Sequence, residues 1–228
     1  MDKLIESQTN WKYLIFILIL AVLVGGGILV YDWWVMKLGE YPGFDINSNL
    51  RNYKSEKYGF AIKYPKNLTL SEENNGIILT HSIVYRHSDP CNFKGDSLIL
   101  EELTDFHVSF EVFQKNLLET VIENESSAFA QENLIGNNLK ISPGFIDEYR
   151  AGDLTGYQIT RGVEGCGEYT YYFPLDSSQT LLIRRAFIAE FSPIIADSQK
   201  YLALPGIISP TMEKTMLDQI FSNLHSLD

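Results

Sequence analysis

Tyr58-Gly59-Phe60-Ala61-Ile62-Lys63-Tyr64-Pro65 decides how the chain is read. Tyr58, Phe60, Ile62 and Tyr64 alternate with smaller or polar residues, the period-two pattern of a strand with one buried face. Pro65 cannot donate to a ladder and ends it. Towards the C-terminus, Asn74-Asn75-Gly76 predicts a turn into a second strand over 77–81, and 97–103 a third, which 106–108 extends. Ser109 then offers a cap for a helix over 110–124, where Phe110, Phe113, Leu117 and Val121 recur at three- and four-residue spacing. Gly136-Asn137-Asn138 turns the chain, 141–146 is weakly patterned, and 156–161, 169–173 and 180–187 are expected strands. Ser209 caps a closing helix with Pro210 as its first residue and Met216, Leu217, Ile220, Phe221, Leu224 and Leu227 on its buried face. Strands, a helix, more strands and a final helix predict an α+β domain, with helices packed on a largely antiparallel β-sheet.

Towards the N-terminus, 35–57 is expected to be a linker, holding Gly39, Pro42, Gly43 and several asparagines without a clear period. Residues 13–34 are expected to form a single transmembrane anchor behind a short tail, 1–12. Positions 14–30 carry no charged residue, and a spanning helix needs about 20 apolar residues. Trp11 and Tyr13 flank one end and Tyr31, Trp33 and Trp34 the other, as membrane-interface anchoring requires. No small-x-small cleavage site follows the run, so the segment stays attached. Lys3 and Lys12 precede it and only Lys37 follows closely, which favours a cytoplasmic tail and an extracytoplasmic domain over 58–228. The chain holds two cysteines, Cys91 and Cys166. They are either a disulfide, natural in a translocated domain, or two unrelated thiols; the Gly165-Cys166-Gly167 turn favours the disulfide.

The formal charge of the 228-residue chain is −11. Past Asp32 there are 16 Lys and Arg against 26 Asp and Glu, so the excess sits in the domain. An acidic domain repels phosphate backbones, which argues against a nucleic-acid partner. Its surface role is chiefly solubility.

Two segments carry a resemblance. Residues 52–65, with Tyr58-Gly-Phe-Ala-Ile-Lys-Tyr-Pro65 at their end, resemble the opening strand of PsbP/Mog1-like domains, and 216–224 is similar to their closing helix. Gly165-Cys-Gly167, Tyr171-Tyr-Phe-Pro174 and Leu181-Leu-Ile-Arg184 resemble membrane-anchored bacterial proteins of the same layout. The resemblance spans about 52–228 and implies an antiparallel sheet flanked by helices with a non-enzymatic accessory or binding role. The photosynthetic members assist an oxygen-evolving complex, but no manganese- or calcium-specific signature carries over to this chain.

Catalytic motifs are few. The sequence holds no GxGxxG after a strand, no GxxxxGK[ST] and no GxSxG, so no cofactor is expected. His81, His87, Asp89 and Cys91 could share a face of an extended segment, but their spacing matches no common zinc pattern. Glu72-Glu73 and Glu101-Glu102 point to opposite faces of a strand and cannot act as acid/base pairs. Tyr169, Tyr171 and Phe173 share one strand face; core packing is the plain explanation, and a partner surface the alternative. Three readings follow. The leading one is a membrane-tethered accessory or binding domain contacting the lipid bilayer and an envelope protein or complex. The second is an envelope hydrolase whose site gathers His81, His87 or His107 beside an acid and a nucleophile. The third is a structural assembly subunit, disfavoured in its pilin form because Asn10-Trp-Lys-Tyr13 is no pilin processing site.

Overall fold

The computed structural model describes residues 49–89, 99–136, 138–163, 166–186 and 198–227, with Trp11, Ile15 and Ile19 from the N-terminal segment. The chain divides into two units, Met1–Asp45 and Ile46–Asp228. In the first unit, Trp11, Ile15 and Ile19 are helical and exposed. Tyr13, Tyr31, Trp33, Trp34 and the rest of the expected anchor lie outside the described residues. Among the described residues no helix is long and apolar enough to cross a membrane.

The second unit is a largely antiparallel β-sheet domain with some helices. Its strands are β1 (Leu50–Ser55), β2 (Phe60–Pro65), β3 (Thr69–Glu73), β4 (Gly76–Ser88), β5 (Ile99–Phe113), β6 (Leu134–Ile135), β7 (Asn138–Leu139), β8 (Ile146–Ala151), β9 (Leu154–Val163), β10 (Cys166–Pro174), β11 (Thr180–Ala186) and β12 (His225–Ser226). Its helices are α1 (Leu117–Asn124), α2 (Ser127–Asn133), α3 (Ser198–Leu202) and α4 (Pro210–Ser222). The main sheet runs β3-β4-β5-β11-β10-β9-β8, two meanders that meet where β11 pairs β5. A second sheet, β1-β2-β12, brings the C-terminus beside the opening strand, and β6-β7 form a small hairpin.

The main sheet buries both faces. On one, Ile77, Leu79, Val108, Phe110, Tyr171, Phe173, Leu181 and Ile183 pack with Phe60 and Ile62 of β2 and with Met216, Leu217, Ile220 and Phe221 of α4. On the other, Ile146, Ile159, Tyr172 and Leu182 pack with Val121 of α1 and Leu139 of β7. Single-residue steps along β10 and β11 change cores, as strand alternation demands. Burying both faces turns 181–183 into a continuous apolar run instead of an alternating one.

Two sequence expectations are corrected here. The expected linker over 35–57 contains β1, whose register runs Leu50↔Pro65 to Ser55↔Phe60. β1 is an edge strand with no fully buried side chain, so it lacks the apolar alternation that marks a buried strand. The helix expected over 110–124 is a strand as far as Phe113. Phe106, Val108, Phe110 and Val112 are all buried at period two, and pairing with β4 and β11 on both sides holds them extended. The helix cap is therefore Asn116, whose side chain accepts from the Glu119 amide at 2.9 Å, and not Ser109. At the C-terminus Ser209 caps α4 as expected, accepting from the Met212 amide at 3.3 Å.

One glycine fixes the start of β4 against β5. A Cβ at Gly76 would stand 1.7 Å from the Phe110 carbonyl oxygen, so only glycine lets β4 start this close to β5.

Candidate functional site

Among the described residues, β4 and β5 outrun their neighbours. β3 pairs β4 only up to Thr80, and β11 pairs β5 only back to Val108. Beyond those points the two strands pair with each other as an arm, with register shifts between His81 and Ser82 and between Val84 and His87. Such bulges increase local twist and re-aim side chains.

The first shift is pinned by a buried carboxylate. Asp105 is fully buried; its Oδ1 lies 2.5 Å from His81 Nδ1 and its Oδ2 accepts from the Ile208 amide at 2.6 Å. The second shift holds His87, buried to 7% exposure, with Nδ1 2.9 Å from the Ser88 carbonyl and Nε2 3.2 Å from the Glu102 carbonyl. Tyr85 stacks on His87 at 6.1 Å, and Tyr201 of α3 meets Tyr85 edge-on at 5.6 Å. The Lys200 ammonium lies 5.9 Å from the Tyr85 ring centre. Between these anchors Val84 stands 90% exposed.

A histidine on a carboxylate is the orienting half of a general base. The histidines do not converge, however. His107 pairs with Thr80, so it lies on the opposite sheet face from His81, and desolvation lowers its pKa. His225 sits in the small sheet, 3.4 Å from Asp153. His87 is turned onto backbone carbonyls. Among the described residues His81 has no hydroxyl partner, and no group of three or more His, Cys, Asp or Glu is placed to hold a metal ion. Asp89 is described, whereas Cys91 is not.

The other buried carboxylates, Glu213 and Glu125, and the half-buried pair of Arg184 with Glu111 are partnered within the domain. Arg185 donates through Nε to Glu213 Oε1 at 2.6 Å and through Nη2 to Oε2, and its guanidinium lies 5.2 Å from the Tyr169 ring centre. Burial opposes the charge on Arg185, but the Glu213 carboxylate outweighs it and raises the guanidinium pKa. On the opposite face Tyr172 Oη donates to Glu125 Oε1 at 2.5 Å, and Arg161 pairs with Glu125 Oε2. Arg184 bridges Glu111 and the Asn124 side-chain oxygen, the latter at 2.7 Å. Burial raises the pKa of Tyr171 and Tyr172, with nearby arginines opposing the shift.

The aromatic strand offered as a partner surface faces inward. Tyr171 is 3% exposed and Phe173 fully buried, stacked at 6.4 Å, and Tyr171 meets Phe221 of α4 edge-on at 4.9 Å. Tyr169 is half-buried against the same core. Burial under α4 takes Tyr171 and Phe173 out of a partner's reach and leaves Tyr169 half-exposed. Cys166 opens β10, half-buried, and is not a free thiol.

Asp105, Glu125 and Glu213 were not singled out from sequence, although a signal for two of them exists. Glu125 follows Leu117 and Val121 at four-residue spacing, and Glu213 precedes Met216 and Leu217 by three and four. Glu213 lies on the apolar stripe of α4 and Glu125 continues that of α1 into its C-cap, and a buried acid at either place calls for a partner.

No family model and no curated protein sequence matches the chain. Among solved structures the chain is similar to a Bacteroides thetaiotaomicron protein, with a TM-score of 0.40 and 9% identity over 78% of this chain. It spans 48% of that protein's length. It is also similar to cyanobacterial PsbP from Synechocystis, with a TM-score of 0.37 and 9% identity over 81% of this chain and 96% of the other.

Proposed function

We propose that the chain is a membrane-tethered extracytoplasmic accessory domain, without catalysis of its own, that binds an envelope protein through the β4–β5 arm. The arm carries this reading: among the described residues it extends past both neighbouring strands, holds its two register shifts with histidine contacts, and offers Val84 at 90% exposure. A rigid strand pair under an exposed apolar side chain is what a recognition surface needs. The tether is supported by the charge-free run over 14–30 and its aromatic flanks Trp11, Tyr13, Tyr31, Trp33 and Trp34. The outside location is supported by Cys166, which is not a free thiol in a chain with only one other cysteine, Cys91.

The test uses the full chain in cells. A photo-crosslinking residue at Val84 is expected to give one discrete adduct, absent when the same group replaces Ile122 on α1. Membrane-impermeant maleimide is expected to label the cysteines of intact cells only after reduction. Labelling only after lysis would place the domain in the cytoplasm and overturn the reading. Equal or absent cross-linking at the two positions would remove the arm from it.

A further inference from the structure

The main sheet ends in two edges, β3 and β8, and they differ in charge. β3 ends in Glu72-Glu73, both exposed, so two such edges repel each other. β8 carries exposed Glu148 and exposed Arg150 on one face, two residues apart, with half-buried Tyr149 between them. No ion pair among the described residues involves either charge.

Hydrogen-bond parity shows which β8 groups face outward. The Phe145 carbonyl accepts from the Thr160 amide of β9 at 2.9 Å, so Phe145 bonds inward. Ile146 bonds outward, exchanging both its groups with Ser142 at 2.7 and 2.9 Å. Antiparallel ladders alternate, so Asp147, Tyr149 and Ala151 bond to β9 while Glu148 and Arg150 present N–H and C=O to the open side. Among the described residues no strand takes them up.

We infer that β8 pairs with β8 of a second copy, antiparallel about a two-fold axis through Tyr149. That register alone sets Glu148 of one copy opposite Arg150 of the other, twice, by symmetry. It also makes both facing residues outward-bonding, so each pair exchanges two backbone hydrogen bonds. A register shifted by one residue would face inward-bonding residues across the joint, and one centred on Glu148 would set Glu148 against itself. The ladder stops where Ser142 already holds Ile146. At the other end Gly152, at φ 58°, turns the chain into β9. The joint is therefore short and the dimer weak, which suits an isologous contact between copies held on one membrane. This inference does not rest on the envelope-partner reading.

The test is sedimentation of the full chain in detergent micelles across a concentration series. The wild type is expected to show a monomer–dimer equilibrium. E148R and R150E each turn both facing pairs repulsive, and each is expected to weaken self-association roughly tenfold. The double variant E148R/R150E restores opposite signs and is expected to return to near wild type. Mixing the two single variants is expected to give a heterodimer tighter than either variant's own homodimer, since both facing pairs then become attractive. A monomeric wild type, singles that associate like wild type, or a double variant no better than the singles would each overturn the proposal. Circular dichroism of every variant confirms folding, so that loss of association is not loss of the domain.

Discussion

Glu213→Ala tests the buried pair that ties α4 to the main sheet. The Glu213 side chain is 2% exposed and that of Arg185 20%. Two hydrogen bonds join them, and the guanidinium also lies 5.2 Å from the Tyr169 ring centre. Removing one member of a buried pair costs about 3–5 kcal/mol, because the remaining charge stays desolvated. Arg185 keeps a fifth of its side chain in water, which places the loss near the lower end, about 3 kcal/mol. For a domain of this size that lowers Tm by roughly 6–12 °C. Glu213→Gln keeps the shape and one hydrogen bond and should lose about half as much. Arg185→Met with Glu213→Leu removes both charges and should return to within about 1 kcal/mol of wild type. Near-UV circular dichroism of tyrosine is the right probe, because Trp11, Trp33 and Trp34 all precede the domain. A loss below about 1 kcal/mol for Glu213→Ala, or a double variant as unstable as the single, would refute the reasoning.

Tyr172→Phe deletes the hydroxyl that donates to Glu125 and should cost about 1.5–3 kcal/mol, measured by urea unfolding. His107 is held below its ordinary value of 6.5 by desolvation, so the folded state binds fewer protons there than the unfolded chain. Its stabilising contribution is complete above that unfolded value and is lost as pH falls below it through the lowered folded value; His107→Gln should flatten this part of the stability profile in unfolding curves taken at each pH. Reduction, or Cys166→Ser, should lower stability by about 4 kcal/mol if the proposed bridge to Cys91 closes its loop of about 75 residues, read as a fall in Tm between oxidised and reduced samples.

How far the sequence disclosed this fold depended on what each strand buries. β2 was legible because Phe60, Ile62 and Tyr64 bury on one side while Lys63 faces water. β5 was not, because Phe110, Phe113, Leu117 and Val121 also satisfy a helical spacing. The choice belongs to the partners: β4 and β11 flank 108–112 and fix it as strand, and no local pattern encodes both neighbours. β1 was hidden for the opposite reason, since an edge strand with no fully buried side chain has no pattern to display. The aromatic row of β10 showed its alternation clearly, but not which side was covered. That is settled by α4, which packs Phe221 against Tyr171 from far along the chain.

The same distinction separates the inward-paired polar groups from the places where this domain is proposed to meet other molecules. Arg185 with Glu213, Arg161 with Glu125, and Arg184 with Glu111 satisfy one another, so breaking them should change stability before it changes any encounter. His81 with Asp105 is similar, because the second carboxylate oxygen holds the Ile208 amide and the pair clamps the arm to the segment before α4. Val84 on the arm and Glu148 and Arg150 on β8 have the opposite character: they are exposed, and they sit on strands whose backbones are fixed from one side. Replacing them should leave unfolding curves nearly unchanged while altering association. That split between stability and contact distinguishes a binding domain with two faces from a site assembled around its histidines.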